Sequence, residues 1–228
     1  PVKSMAQGTN WVGANRGVEM KYWFNTTTDA VRKWAVTDIV NSFGTYASSG
    51  AYSPGELFKT VTVDEHGKQV IEFKNKEGLV VLKKVQLTAA NDDGVNGSGH
   101  ANWLCTYYIY DKLNQLRCVI QPKGVELISP NWLLTDATIL AEQCFRYEYD
   151  KRSRMIKKKV PGAGEVWMVY DARDRLVLTQ DANMRLPTQK KWIYTIYDDL
   201  NRPISTGLIT DPSYYNNLSF HLGAAYNS

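Results

Sequence analysis

Apolar and polar residues alternate along much of the chain, the period of strands that bury one face. The alternation is clearest over residues 57–88, LFKTVTVDEHGKQVIEFKNKEGLVVLKKVQLT, where Val61, Val63, Val70 and Phe73 stand in strands with polar partners between them. Asp64-Glu65-His66-Gly67 and Lys74-Asn75-Lys76-Glu77-Gly78 supply the turns. Residues 103–110 and 116–120 predict the flanks of another hairpin. Residues 19–25 and 31–36, joined by Thr26-Thr27-Thr28-Asp29, also read as a hairpin. Between these strands, residues 1–20 form a Gly- and Asn-rich lead-in around Trp11, and residues 41–55, rich in Ser and Gly, read as a loop. Residues 91–100, NDDGVNGSGH, read as a mobile surface loop without the alternate carboxylates and distal Glu of a calcium loop. Strand character lapses over 122–144. There, over 122–128 and 130–144, Ser129-Pro130 and Thr135-Asp136 are helix-start signals, and Ile139, Leu140 and Gln143 keep helical spacing. Asp211-Pro212 opens a terminal helix running to about residue 222.

Within this pattern one unit recurs. Tyr149-Asp150 is followed by Arg154, Tyr170-Asp171 by Arg175 and Tyr197-Asp198 by Arg202; Tyr110-Asp111 begins the same unit with Gln115 at the Arg position. The Tyr ends a strand, and the Asp carboxylate can accept backbone N–H bonds in an Asx-turn. Asn114, Ser153, Asp174 and Asn201 then occupy the position that most needs tolerance of positive φ. The segments at 64–67 and 74–78 are two further copies that keep Gly there, with Phe73-Lys74 standing for Tyr-Asp. Each copy is a β-hairpin too small to bury its own apolar face, so it needs stacked neighbours. The expected fold is mainly β: stacked antiparallel hairpins forming an open, curved sheet with one to three short inserted or capping helices. A single domain is expected over 1–228, with a lead-in hairpin and loop at 1–50, repeats at 51–210 interrupted by helix near 122–144, and a helical cap at 211–228.

Composition adds limits. The chain has 228 residues, of which 43% are hydrophobic, and a net charge of +4 that neither demands nor excludes nucleic acid. Cys105, Cys118 and Cys144 are odd in number and lack metal spacing, so no disulfide framework is expected, although Cys105 and Cys118 flank one hairpin. No apolar run is long enough to span a membrane, and no signal peptide opens the chain. Starting at Pro1 without Met, the sequence reads as an excised segment or a processed product.

The candidate chemistry is sparse. Asp111, Asp150, Asp171 and Asp198 are the acidic residues a glycoside hydrolase would pair. Their recurrence in every unit instead assigns them to the turn, a task each repeat shares, so no catalytic residue is expected. His66, His100 and His221 lack metal-ligand spacing, no phosphate loop is present, and no cofactor or metal is expected. Lys157-Lys158-Lys159, with Arg152 and Arg154 nearby, reads as a charged edge strand that deters strand addition rather than as a nucleic-acid groove. Trp103, Trp132, Trp167 and Trp192 are the candidates for stacking on sugar rings, against the plainer role of filling between layers.

With these Tyr-Asp units in view, the chain resembles the rearrangement-hotspot (Rhs) or YD-repeat family over roughly residues 52–208, in the form found in large surface or secreted proteins of Bacteroidetes. The resemblance implies strands that spiral into a shell, a cargo or toxin enclosed by full-length members, export, contact with other cells and, in some members, carbohydrate binding. The sequence departs from the family in its lost turn glycines, irregular spacing and short length, and it contains no recognisable self-cleavage or toxin module. It is therefore read as a non-enzymatic scaffold segment of a larger secreted or cell-surface protein. The alternative is a carbohydrate- or surface-binding module using exposed Trp and Tyr. Expected partners are carbohydrate or other segments of the parent protein, with self-association through unpaired edge strands.

Overall fold

A computed structural model describes residues 2–4, 17–40 and 42–226; the lead-in read around Trp11 lies outside these residues. The elements in order are β1 (Val2–Ser4), β2 (Val18–Phe24), β3 (Arg32–Thr37), β4 (Thr45–Ala51), β5 (Phe58–Val63), β6 (Gln69–Lys74), β7 (Val80–Gln86), β8 (Trp103–Tyr110) and β9 (Leu116–Ile120). They continue with α1 (Pro122–Ile128), β10 (Leu133–Leu134), α2 (Ala137–Glu142), β11 (Cys144–Tyr149), β12 (Met155–Lys159), β13 (Glu165–Tyr170), β14 (Leu176–Gln180), β15 (Lys191–Tyr197), β16 (Pro203–Thr210) and α3 (Leu218–Tyr226). The fold is thus mainly β, built from antiparallel hairpins in an open strand order. Contacts group the chain into two compact units, one of 1–36 with 46–139 and the other of 37–45 with 140–228, where the sequence reads as a single repeat domain.

In the first unit the strands follow the order β1-β2-β5-β6-β7-β8-β9, and a small second sheet has the order β10-β4-β3. Alternation places Val61, Ile71, Phe73, Leu82, Tyr107 and Ile109 on the buried face, each at most 1% exposed. The strands expected at 19–25 and 31–36 form, but they do not pair with each other. Instead β2 pairs with β5, Lys21 standing opposite Val61, while β3 joins the small sheet. The cause lies in the connection. Asp29 is fully buried, and its Oδ2 accepts the Thr26 N–H at 2.8 Å, so residues 26–29 make an inward-facing corner rather than a hairpin turn. The Ser- and Gly-rich stretch read as a loop contains β4. It is anchored by Tyr46, which is buried and donates its hydroxyl to the Arg117 carbonyl at 3.2 Å.

The helix starts divide similarly. Pro122 begins α1, and Asp136 Oδ1 accepts the N–H groups of Thr138 (2.7 Å) and Ile139 (3.0 Å) at the start of α2. Ser129-Pro130 starts nothing, because Ser129 ends α1 by donating its N–H to the Val125 carbonyl. The terminal helix begins later than expected. Asp211 Oδ1 accepts from Ser213 and Tyr214 in a turn, and Asn217 Oδ1 then accepts the Phe220 N–H at 3.0 Å to open α3.

The second unit has the order β11-β12-β13-β14-β15-β16. Trp167, Val169, Trp192 and Leu218 form its apolar core, with Val177, Leu178 and Leu222 packed around them. The basic run is not on an edge: β12 lies between β11 and β13, and Lys157 and Lys159 point inward and are buried. Their long stems pack while their amino groups find partners. Lys159 Nζ donates to the carbonyls of Ala141 and Ala163 at 2.8 Å each, and Lys157 Nζ lies 5.6 Å from the Trp167 ring centre. The edge strand is β16, whose only neighbour is β15 among the described residues and whose Ile204, Leu208 and Ile209 are exposed.

Candidate functional site

Six turns share one geometry. At Asp64, Asn75, Asp111, Asp150, Asp171 and Asp198 the backbone N–H donates to the carbonyl four residues on, and the N–H three residues on donates back to the turn residue's own carbonyl, all at 2.8–3.1 Å. The side-chain oxygen Oδ1 of each accepts the N–H of the fourth residue on, at 2.8–3.0 Å. This is the Asx-turn chemistry that Asp and Asn provide. The residue three positions on has positive φ: Gly67 at 80° and Gly78 at 79°, then Asn114 at 62°, Ser153 at 62°, Asp174 at 63° and Asn201 at 61°. In the second copy the turn acceptor is Asn75, so Lys74-Asn75, not Phe73-Lys74, stands where Tyr-Asp stands elsewhere. The later register shifts fall at Tyr110, Tyr149, Tyr170 and Tyr197, the bulge that a three-residue hairpin loop requires.

The last three turns add a relay of arginines. Arg154 Nε donates to Oδ2 of its own Asp150 at 2.7 Å, and Arg175 and Arg202 do the same to Asp171 and Asp198. Arg154 then reaches the next turn, where its Nη1 donates to the Asp171 carbonyl at 2.9 Å and to Asp174 Oδ1 at 2.8 Å, and its guanidinium lies 5.1 Å from the Tyr170 ring centre. Arg175 repeats this one turn on, donating to the Asp198 carbonyl at 3.3 Å and to Asn201 Oδ1 at 3.2 Å, again 5.1 Å from the Tyr197 ring. Arg152 reinforces the first step with Asp174 Oδ2 at 3.0 Å. Burial pushes the Asp171 carboxyl up, but the Arg175 backbone and side-chain donors outweigh it and hold the group below its ordinary range. Asp198 is likewise held low by the backbone N–H and side chain of Arg202. The Tyr110-Asp111 copy, lacking Arg at 115, recruits Arg117 to Asp111 Oδ2 at 3.1 Å.

No protein-family model matches the chain, and no curated protein does. Among solved structures it is similar to a Photorhabdus luminescens Tc holotoxin pore with a mutated TccC3, at 18% identity and a TM-score of 0.48 over 69% of this chain. It is also similar to a TcdB2–TccC3–Cdc42 complex, at 17% identity and a TM-score of 0.48 over 69% of this chain. This chain spans 8% of the length of each of those chains.

Three of the four tryptophans that are candidates for sugar stacking take the plainer role of filling the interior. Trp103, Trp167 and Trp192 are buried. Trp132, half-buried and at φ 57°, has the Arg32 guanidinium over its ring at 5.1 Å and the His100 ring 4.9 Å away. His100 Nε2 lies 2.8 Å from the Tyr107 hydroxyl, which itself accepts the Arg32 N–H at 2.9 Å. Burial, with the Lys84 and Arg32 charges beside it, pushes His100 down to about 4, so at neutral pH the ring is uncharged. The three cysteines are buried, and none is in a disulfide among the described residues. Cys118 stands opposite Ile109 across β8 and β9, out of register with Cys105.

A second polar cluster went unread in the sequence. Lys59 and Asp29 are both fully buried, their side chains meeting at 3.0 Å, and Lys59 Nζ also donates to Asp92 Oδ2 at 2.6 Å. Asp92 belongs to the segment expected to be a mobile surface loop. In fact its N–H donates to Gln69 Oε1 at 2.7 Å, the Ser98 N–H donates to Asp29 Oδ1 at 3.1 Å, and Gly94 lies so close to the Trp23 indole that a Cβ would fall 2.3 Å from it. Lys84, also buried, donates to the Ser98 hydroxyl at 2.8 Å, and burial pushes it down to about 8. The available signal was register: Lys59 and Lys84 occupy inward positions of strands β5 and β7, between Leu57 and Val61 and beside Leu82.

Proposed function

We propose that this chain is a non-enzymatic structural segment of a larger exported repeat protein, in which Tyr-Asp hairpins build a wall by clasping one another turn to turn. The observation that carries the reading is the use of the acidic residues. In Asp150, Asp171 and Asp198 one carboxylate oxygen accepts backbone N–H groups of its own turn and the other accepts arginine, an arrangement suited to fixing a hairpin rather than to shuttling a proton. The Arg154 and Arg175 bonds tie each turn to the one after it, as a scaffold needs. Export and a place at the cell surface follow from the resemblance to YD-repeat proteins. Among the described residues no helix is long and apolar enough to cross a membrane.

The test compares stability with turnover in Asp171→Ala. The variant is expected to lose about 1–3 kcal/mol in urea unfolding, the range for removing hydrogen-bond acceptors from charged and backbone donors. The unmodified chain is expected to leave a panel of chromogenic glycosides untouched. Glycoside turnover abolished by a single Asp change would sink the proposal.

A further inference from the structure

We infer that the free edge of β16, with Arg202 at its turn end, is a docking site for a further β-hairpin bearing a Tyr-Asp-x-x-(Asp/Asn) turn. The inference rests on the scaffold reading and names its partner. Arg154 and Arg175 each bind four things: the carboxylate of their own turn, the ring of the next Tyr, the carbonyl of the next Asp, and the side-chain oxygen three residues beyond it. Arg202 makes the first of these contacts, to Asp198 at 2.7 Å, and its side chain is 71% exposed against 14% and 22% for Arg154 and Arg175.

The donor is therefore already oriented. Asp198 holds Nε, the rest of the side chain is largely exposed, and the planar guanidinium fork recognises paired oxygen acceptors. Beside it β16 has one hydrogen-bonded neighbour among the described residues, so its other edge offers backbone groups for pairing along a strand of eight residues. Ile204 and Leu208 lie two turns of the pleat apart at 65% and 60% exposure, an apolar row for the incoming strand to cover. The repeating interval sets the chemistry of the occupant: an aromatic residue ending a strand, an Asp carbonyl next to it, and a carboxylate or carboxamide oxygen at the left-handed position. Two β16 edges pairing with each other would cover the apolar row but leave Arg202 without these acceptors.

The experiment uses the full chain and a head-to-tail cyclised, fluorescently labelled hairpin with the sequence of residues 165–180, which carries Tyr170, Asp171 and Asp174. Saturable binding by fluorescence anisotropy is expected, weakened about tenfold or more in the Arg202→Ala chain and in a hairpin with Asp174→Ala and Tyr170→Ala, as the loss of charge-assisted hydrogen bonds predicts. Arg202→Lys, which keeps the charge and loses the fork, is expected to fall near Arg202→Ala. Because Arg202 is exposed, thermal melting of these variants should match the parent. Absent binding, equal binding by the Arg202→Ala chain, or a dimer by light scattering that excludes the hairpin and persists in Arg202→Ala would each overturn the inference. Those results leave the scaffold reading intact, whereas Asp-dependent turnover removes that reading whatever the hairpin does.

Discussion

The two units use the same turn, and both bury lysines, but they differ in where ion pairs tie one element to the next. In the first, the residues four positions after the turn acceptor are Lys68, Leu79 and Gln115, none of which reaches from one turn to the next in the manner of the later arginines. Its fixed charges lie inside instead, where Lys59 and Lys84 meet Asp29, Asp92 and Ser98 beneath the 91–100 segment. In the second unit the equivalent positions are Arg154, Arg175 and Arg202, and the ion pairs run along the partly exposed turns. The difference teaches that a hairpin repeat sets only the local reversal. What ties successive elements together is decided by one side chain per copy, and it is satisfied by a desolvated cluster in one place and by a rim of charge-assisted bonds in the other.

Breaking the buried cluster should have the largest effect. Asp29→Ala removes an acceptor for Lys59, Thr26 and Ser98 at once and leaves the buried lysine with Asp92 as its one remaining carboxylate partner. Removing one partner of a buried pair costs about 3–5 kcal/mol, since the desolvation of the survivor is no longer offset. Urea unfolding is expected to show that loss, with greater proteolytic sensitivity in the 91–100 segment; a cost below about 1 kcal/mol, the range of a surface pair, would erase the contrast between the units.

The contrast is sharpened by pH. Burial lowers Lys84 from 10.5 to about 8, so between those values the unfolded chain binds a proton that the folded chain has released, and stability linked to this group rises with pH. Relative to Lys84→Met, which keeps an unbranched side chain of similar size and loses the amino group that lies over the Phe73 and Trp103 rings, the parent should gain about 3 kcal/mol between pH 8 and pH 10.5. Parallel stability curves for the two proteins across that window would show that Lys84 titrates normally.

What could be read in advance follows the range of the interaction. The turns are local, each written in five consecutive residues, and the positions at Asn114, Ser153, Asp174 and Asn201 that need positive φ could be picked out because Asx and Ser side chains replace Gly there. The pairing of β2 was not readable in the same way. Thr26 to Asp29 has turn composition, and only the distant Lys59 and Ser98 make Asp29 more stable inside than at a hairpin tip. The 91–100 segment misled for the same reason: its composition is that of a loop, while Gln69, 23 residues before Asp92, holds its backbone in place. In the candidate site the own-turn Asp–Arg pairs were within reach of sequence reasoning, being four residues apart. The handover from Arg154 to Asp174 and from Arg175 to Asn201 depends on strand register, which the burial pattern specifies only once neighbours are known.

The smallest effect separates the two duties of the left-handed position. Ser153 and Asn201 have almost the same φ, 62° and 61°, but Asn201 Oδ1 accepts from Arg175 whereas the contacts of Ser153 are those of its backbone. Glycine relieves a left-handed strain of about 1–2 kcal/mol and gives back about 0.5–1 kcal/mol through the greater freedom of the unfolded chain. Ser153→Gly should therefore stabilise slightly. Asn201→Gly gains the same backbone relief but gives up an acceptor for a charged donor, which offsets it, so its melting temperature should fall below that of Ser153→Gly and near or below the parent. Equal gains at both positions would mean that the relay ends at the Asp198 carbonyl, and that the side chain three residues past each Asp serves the turn alone.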